Sequence, residues 1–116
     1  MGNPALYRSA VGWSLFHAAL LSRKMPPFPL FLTVSGACIT SIWNHGGNNN
    51  AVMWLDRSWM VLSVLIHTLH SAVRKRARCL MLCSVLSFFL AKWRRDTRFH
   101  LIAHALMSAS NYYTLR

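Results

Sequence analysis

Acid is what this chain nearly lacks: of 116 residues, only Asp56 and Asp96 are acidic. Charged side chains of either sign make up 13% of the total, too few to cover the surface of a 13 kDa water-exposed domain. Intrinsic disorder is excluded from the other side, because five Trp and six Phe come with many Leu and Met. Three cysteines, odd in number and without framework spacing, exclude a disulfide scaffold and leave the compartment open. There is no Asn-x-Ser/Thr sequon, no internal repeat, and no small-x-small cleavage site between the first apolar run and Arg23-Lys24. Met1-Gly2 lacks the downstream Ser/Thr that myristoylation favours. What the chain does have is 54% apolar residues and 13 Lys/Arg, for a formal charge of +11. Basic charge on so apolar a chain is expected at lipid headgroups, not on nucleic acid. The expectation is a small integral-membrane protein of one domain.

The charges punctuate the chain. Between them lie apolar runs at 9–22, 30–45, 56–73, 79–91 and 99–115, the last closed by Arg116. Pro26-Pro27-Phe28-Pro29 and the turn-rich stretch from Asn44 to Asn50 break the chain between runs. Backbone groups in lipid must bond within their own segment, so each run is expected to be a helix. The fold class is therefore all-α, an integral-membrane bundle of about five transmembrane helices. Each run is a little short of the ~20 residues that a bilayer core asks for. Snorkelling Arg and Lys, and Trp43, Trp54, Trp59 and Trp93 near run ends, would make up the difference. Basic residues are nearly balanced between the two ends of the spans, so they set no orientation.

Polar residues inside these runs fall into stripes. Ser35, Cys38, Ser41 and His45 follow one another at steps of three, three and four. Asp56, Ser63, His67 and His70 share a face of the third segment, with Met60 between them; His100, His104, Ser108 and Asn111 share one of the fifth. Such stripes belong in a bundle interior, where Ser, Cys and Asn commonly serve only to join helices. Five alternating spans put His45, Asp56, His100 and His104 at one end of the bundle.

His100 and His104, one turn apart, have the spacing of a paired zinc ligand set, and His45 offers a third nitrogen. Three neutral imidazoles leave the fourth tetrahedral position open to water, whose pKa zinc lowers to about 7. Asp56 is the carboxylate placed to take that proton, while Asp96 sits among arginines as their counter-ion. Ser41, one turn before His45, is in reach of Asp56 or a ligand. The spacing alone also suits haem, a proton relay or plain packing.

Ser41-x3-His45, Asp56 after ten further residues, and His100-x3-His104 on the last helix resemble the CREST superfamily of membrane hydrolases. That superfamily includes the alkaline ceramidases and the adiponectin-receptor-like proteins, and the ten-residue gap is similar to the ceramidase branch. The resemblance implies zinc held by His45, His100 and His104. It also implies Asp56 as general base or water-orienting group, Ser41 as supporting or oxyanion residue, and cleavage of an amide bond in a lipid. It covers two short blocks of the chain. The family has seven spans where five are read here, and its acidic N-terminal calcium site has no counterpart before Asp56.

His67 and His70 lie deeper than this site and suit a proton path or contacts to neighbouring helices, and His17 reads as structural. Cys79 and Cys83 are a weak metal pair. Arg74, Lys75, Arg76 and Arg78 form a basic knot expected to meet anionic lipid headgroups. The competing expectation is a non-enzymatic accessory subunit of a larger membrane complex, for example in the mitochondrial inner membrane, or an inactive remnant of an enzyme.

Overall fold

The computed structural model describes residues 2–115. Met1 and Arg116, each named in the sequence reading, lie outside the described residues. The fold is all-α: α1 (Pro4–Arg23), α2 (Phe28–His45), α3 (Asn50–Leu69), α4 (Lys75–Arg94) and α5 (Thr97–Leu115). Local chemistry sets the boundaries. Asn3 Oδ1 accepts from the N–H groups of Ala5 and Leu6, with Pro4 at the first helical position. Asn49 does the same for Ala51 and Val52 at the start of α3. Arg95 takes left-handed backbone at φ 53°, which ends α4 and lets the Asp96 N–H reach the Ala91 carbonyl.

The apolar runs correspond to the helices, with shifted ends. Basic residues expected to bound the runs instead lie inside helices: Arg8 in α1, Lys75, Arg76 and Arg78 in α4, with Lys92 and Arg94 in its last turn. Lys and Arg are good helix formers whose charged ends reach outward, so they do not terminate a helix. The third run, read to Val73, stops at Leu69, where the His70 N–H closes on the Ile66 carbonyl.

The helices pack in the order α3, α2, α1, α5, α4, and the ring is least closed between α3 and α4. Small residues bring α4 and α5 together: Ala77, Ala91 and Ala103 are buried, and the Ser84 and Ser110 hydroxyls donate to the Ala103 and Ala77 carbonyls, each at 2.6 Å. Across the bundle, the Trp59 ring lies on Gly36, where a Cβ would overlap it, and Trp59 Nε1 donates to the Thr33 carbonyl at 3.0 Å.

Polarity is not sorted as in a water-exposed globule: among the described residues, eleven of the buried ones are apolar and eleven polar. One small apolar cluster, Leu30, Val73 and Ala77, is backed by Ile66 and Tyr113. Otherwise much of the interior is polar, including His17, Thr33, Thr40, Asp56, His67 and Asn111. Large apolar side chains point outward, among them Leu15, Phe28, Ile39, Trp43, Leu69 and Trp93, the last 83% exposed. Five membrane spans were expected. Among the described residues, no helix is long and apolar enough to cross a membrane. The physical reason is the Ser, Thr, His and Asn side chains that interrupt the apolar runs, joined in α4 by basic residues at both ends.

Candidate metal centre and its cavity

His45 is the last residue of α2, and His100 and His104 occupy the first two turns of α5. Asp96 fixes where α5 begins: its Oδ1 accepts the Arg98 N–H at 2.9 Å, and its carboxylate also pairs with the Arg98 guanidinium at 2.9 Å. Those Arg98 contacts hold the Asp96 carboxyl below the usual carboxylate range, with the nearby Arg94 charge acting in the same direction. Asp96 is therefore a counter-ion, as expected, and a helix cap as well. The chain start tucks against the other side of the site, for a Cβ on Gly2 would strike the His45 carbonyl.

The three imidazoles converge. Ring centroids are 5.0 Å apart for His45–His100, 5.2 Å for His45–His104 and 4.9 Å for His100–His104. One candidate ligand nitrogen from each lies within 4.8 Å of the others, and among the described residues no other group of three His, Cys, Asp or Glu does this. A tetrahedral zinc with bonds of ~2.05 Å sets its ligand nitrogens about 3.4 Å apart, so the rings need to close by little more than about 1 Å. Ser9 Oγ sits 3.0 Å from His104 Nδ1, which leaves Nε2 as the nitrogen free for a metal. The donor set and its spacing fit zinc.

Asp56 is buried on α3, and each of its oxygens takes a bond from α2: Thr40 Oγ1 donates to Oδ1 and Asn44 Nδ2 to Oδ2, both at 3.0 Å. The sequence reading put Ser41 in reach of Asp56. Thr40 and Asn44, one turn apart, take that place. Ser41, about 100° round the helix from Thr40, lines the central cavity instead. Phe88 stands edge-on to His100 at 5.2 Å, and Lys92 Nζ lies 5.2 Å over the Phe88 ring. Burial holds the Lys92 ammonium below the ordinary lysine value; Arg57 adds to this and Asp56 opposes it. This end of the bundle thus gathers three imidazoles, the Asp56 and Asp96 carboxylates and several cations, Lys92, Arg57 and Arg98 among them.

Asp56, His100, His104 and Ser41 border a cavity of about 120 Å³ that runs down the bundle. That is room for several waters or a stretch of alkyl chain. Trp13, Val34, Met60, Met81 and Met107 form much of its wall, and its lining continues to His17, His67, Ser108 and Asn111. Ser63 and His67 follow Asp56 along this wall as read. His70 does not: it caps α3, its Nδ1 accepting the Ala72 N–H. Cys79 and Cys83 are exposed. Ser9, Thr40 and Asn44 were not singled out from sequence. Asn44 had one usable signal, lying one turn from Thr40 beside a likewise polar face, whereas nothing in local spacing ties Ser9 to a histidine 95 positions away.

Compared with protein-family models, curated proteins and solved structures, the chain matches none of them significantly.

Proposed function

We propose that this chain is a lipid-embedded helical bundle acting as a zinc-dependent hydrolase of an amide, or ester, bond in a lipid. The observation that carries the reading is the convergence of His45 on His100 and His104, which line a cavity also bordered by a buried carboxylate, Asp56. The exposed large apolar side chains and the half-polar interior support the lipid setting: apolar side chains outward satisfy lipid, and polar side chains inward satisfy one another. The α3–α4 side, where the ring is least closed, suits entry of a lipid chain from the side.

His45, His100 and His104 would hold the zinc, which when bound supplies Lewis acidity at the carbonyl and makes water acidic near neutral pH. The chain's own residues do the rest. Thr40 and Asn44 hold Asp56 in place, and its remaining lone pairs can take a proton from a cavity water. That proton goes on to the departing amine or alcohol as the acyl C–N or C–O bond breaks and water oxygen joins the acyl carbon. Ser41, on the cavity wall, is the side-chain donor toward the carbonyl oxygen. Cavity walls of Trp, Val and Met accept the alkyl chain and exclude bulk water.

Arg74 and Lys75, exposed at the start of α4, would meet anionic headgroups at about 1 kcal/mol per basic residue. Arg76 and Arg78 of the same knot are partly engaged, over the Tyr113 ring at 5.2 Å and with the His70 carbonyl at 3.0 Å.

The test is metal content of detergent-purified protein together with release of fatty acid from ceramide-like lipids. Near-stoichiometric zinc that is lost in His104→Ala, with turnover lost in parallel, supports the reading. Absence of zinc from protein purified without chelators sinks it. The outward apolar surface also suits a second reading, a non-catalytic subunit of a larger membrane complex such as one of the mitochondrial inner membrane. Stoichiometric co-purification with partners, unaffected by His100→Ala, would favour that.

A further inference from the structure

The inner end of the cavity carries two buried acceptors that no described residue satisfies. Thr33 Oγ1 donates its single proton to the Leu30 carbonyl at 3.0 Å, so its oxygen must accept from His67 Nε2 at 3.1 Å. His67 is thereby fixed with its proton on Nε2, leaving Nδ1 a bare acceptor, and that atom is buried without a partner. A parallel chain of bonds fixes Asn111. His17 Nδ1 lies 2.6 Å from the Trp13 carbonyl, which can only accept, so the proton is on Nδ1 and the neutral ring's Nε2 accepts. Asn111 Nδ2 donates to it at 3.1 Å, which orients the amide and leaves Oδ1 buried and unpartnered. His67 is 2% exposed and Asn111 6%, and both side chains line the same cavity as Asp56 and His104.

An unsatisfied buried acceptor costs about 1–3 kcal/mol, and two such atoms on one cavity are a demand for a donor. Their depth is set by the helices. Asn111 lies seven residues beyond His104, about 10 Å along α5, and His67 lies eleven beyond Asp56, about 16 Å along α3. Between the two ends the wall is mainly apolar: Met60, Val34, Met81 and Met107.

We propose that the inner end is a subsite for a hydrogen-bond donor, and that the lipid taken by this cavity carries a hydroxyl or N–H group along its chain, about 10–16 Å from the bond presented to the three histidines. The chain spans the apolar middle, and its donor completes Asn111 Oδ1, His67 Nδ1 or both. This substrate class rests on the hydrolase reading; the subsite itself does not.

Calorimetric titration of the purified protein with medium-chain ω-hydroxy fatty acids and with the unsubstituted acids of equal length tests it, each with and without a zinc chelator. The hydroxylated acid is expected to bind about tenfold tighter. Asn111→Leu and His67→Leu should each reduce that preference without weakening the unsubstituted acid. Equal affinity of the two probes in the wild-type protein overturns the proposal and needs no variant to fold. A preference that persists in both variants overturns it as well. Chelation is expected to weaken both probes alike and leave their ratio intact. A tenfold preference with no response to chelator keeps the subsite and counts against the metal-dependent reading.

Discussion

The two ends of one cavity hold histidines in different states of commitment. At the inner end each imidazole is tied to a different helix: His17 to Asn111, and His67 to Thr33. Those bonds fix each tautomer and join α1 to α5 and α2 to α3. At the outer end three imidazoles face one another, and among the described residues the one hydrogen bond any of them makes is that of His104 with Ser9. A histidine recruited only to hold helices together makes the inner pattern. Three that leave their nitrogens turned toward a common point make the pattern of a ligand set.

Substitution separates the two ends most sharply. His104→Ala, and likewise His45→Ala or His100→Ala, is expected to abolish zinc retention and bring hydrolysis to background. His17→Ala should keep near-stoichiometric zinc while lowering unfolding stability by about 2–3 kcal/mol, because Asn111 loses its acceptor and a buried void opens. Elemental analysis and denaturant unfolding in detergent report both. Equal zinc loss in His17→Ala and His104→Ala would erase the distinction.

Asp56→Asn comes next in size. It preserves shape and all three imidazoles, so zinc content should stay at the wild-type level while turnover falls about 10²–10⁴-fold. Loss of metal in this variant would instead mean that the carboxylate is there for the ion's charge.

Acid should also tell the ends apart. Zinc needs neutral imidazoles, so affinity falls once acid protonates them, by up to about a thousandfold per pH unit where all three rings must give up a proton. Equilibrium dialysis at falling pH measures the slope; a slope of one proton or less would show that fewer than three histidines bind. The Asp96–Arg98 pair acts in a separate window. Its folded-state carboxyl is depressed, so its contribution is present above about 3.9 and is lost as pH falls through the lower folded value. Being exposed, it is small and salt-screened.

The stripes show how much of this was legible. His100, His104, Ser108 and Asn111 share a helical face by spacing, and all four line the cavity. Parity alone brought His45, Asp56 and the α5 pair to one end. Spacing did not say which α2 residues would turn to α3: Ser35, Cys38 and Ser41 looked like the polar face, yet Thr40 and Asn44 hold Asp56. A rotation of about 100° separates one choice from the other, and it is set by how Trp59 seats on Gly36, a tertiary contact. Helix ends were misjudged for a related reason, since charge was read as a boundary when Lys and Arg simply continue a helix.

Ser9→Ala tests the bond that His104 makes. Removing a hydroxyl that orients a ligating ring typically lowers metal affinity about 10–100-fold. Competition with a chromophoric chelator would read this, and no change would mean that Ser9 only packs.

The smallest effect lies at the corner that launches α5. Arg95 holds a left-handed conformation that a side chain resists by about 1–2 kcal/mol and glycine does not. Arg95→Gly should therefore raise unfolding stability slightly, by about 1 kcal/mol or less, once the greater freedom of glycine in the unfolded chain is counted. Zinc affinity should not move, because Asp96 still starts α5 and the two histidines keep their register. If affinity instead falls, the corner's rigidity is part of what brings His100 and His104 against His45.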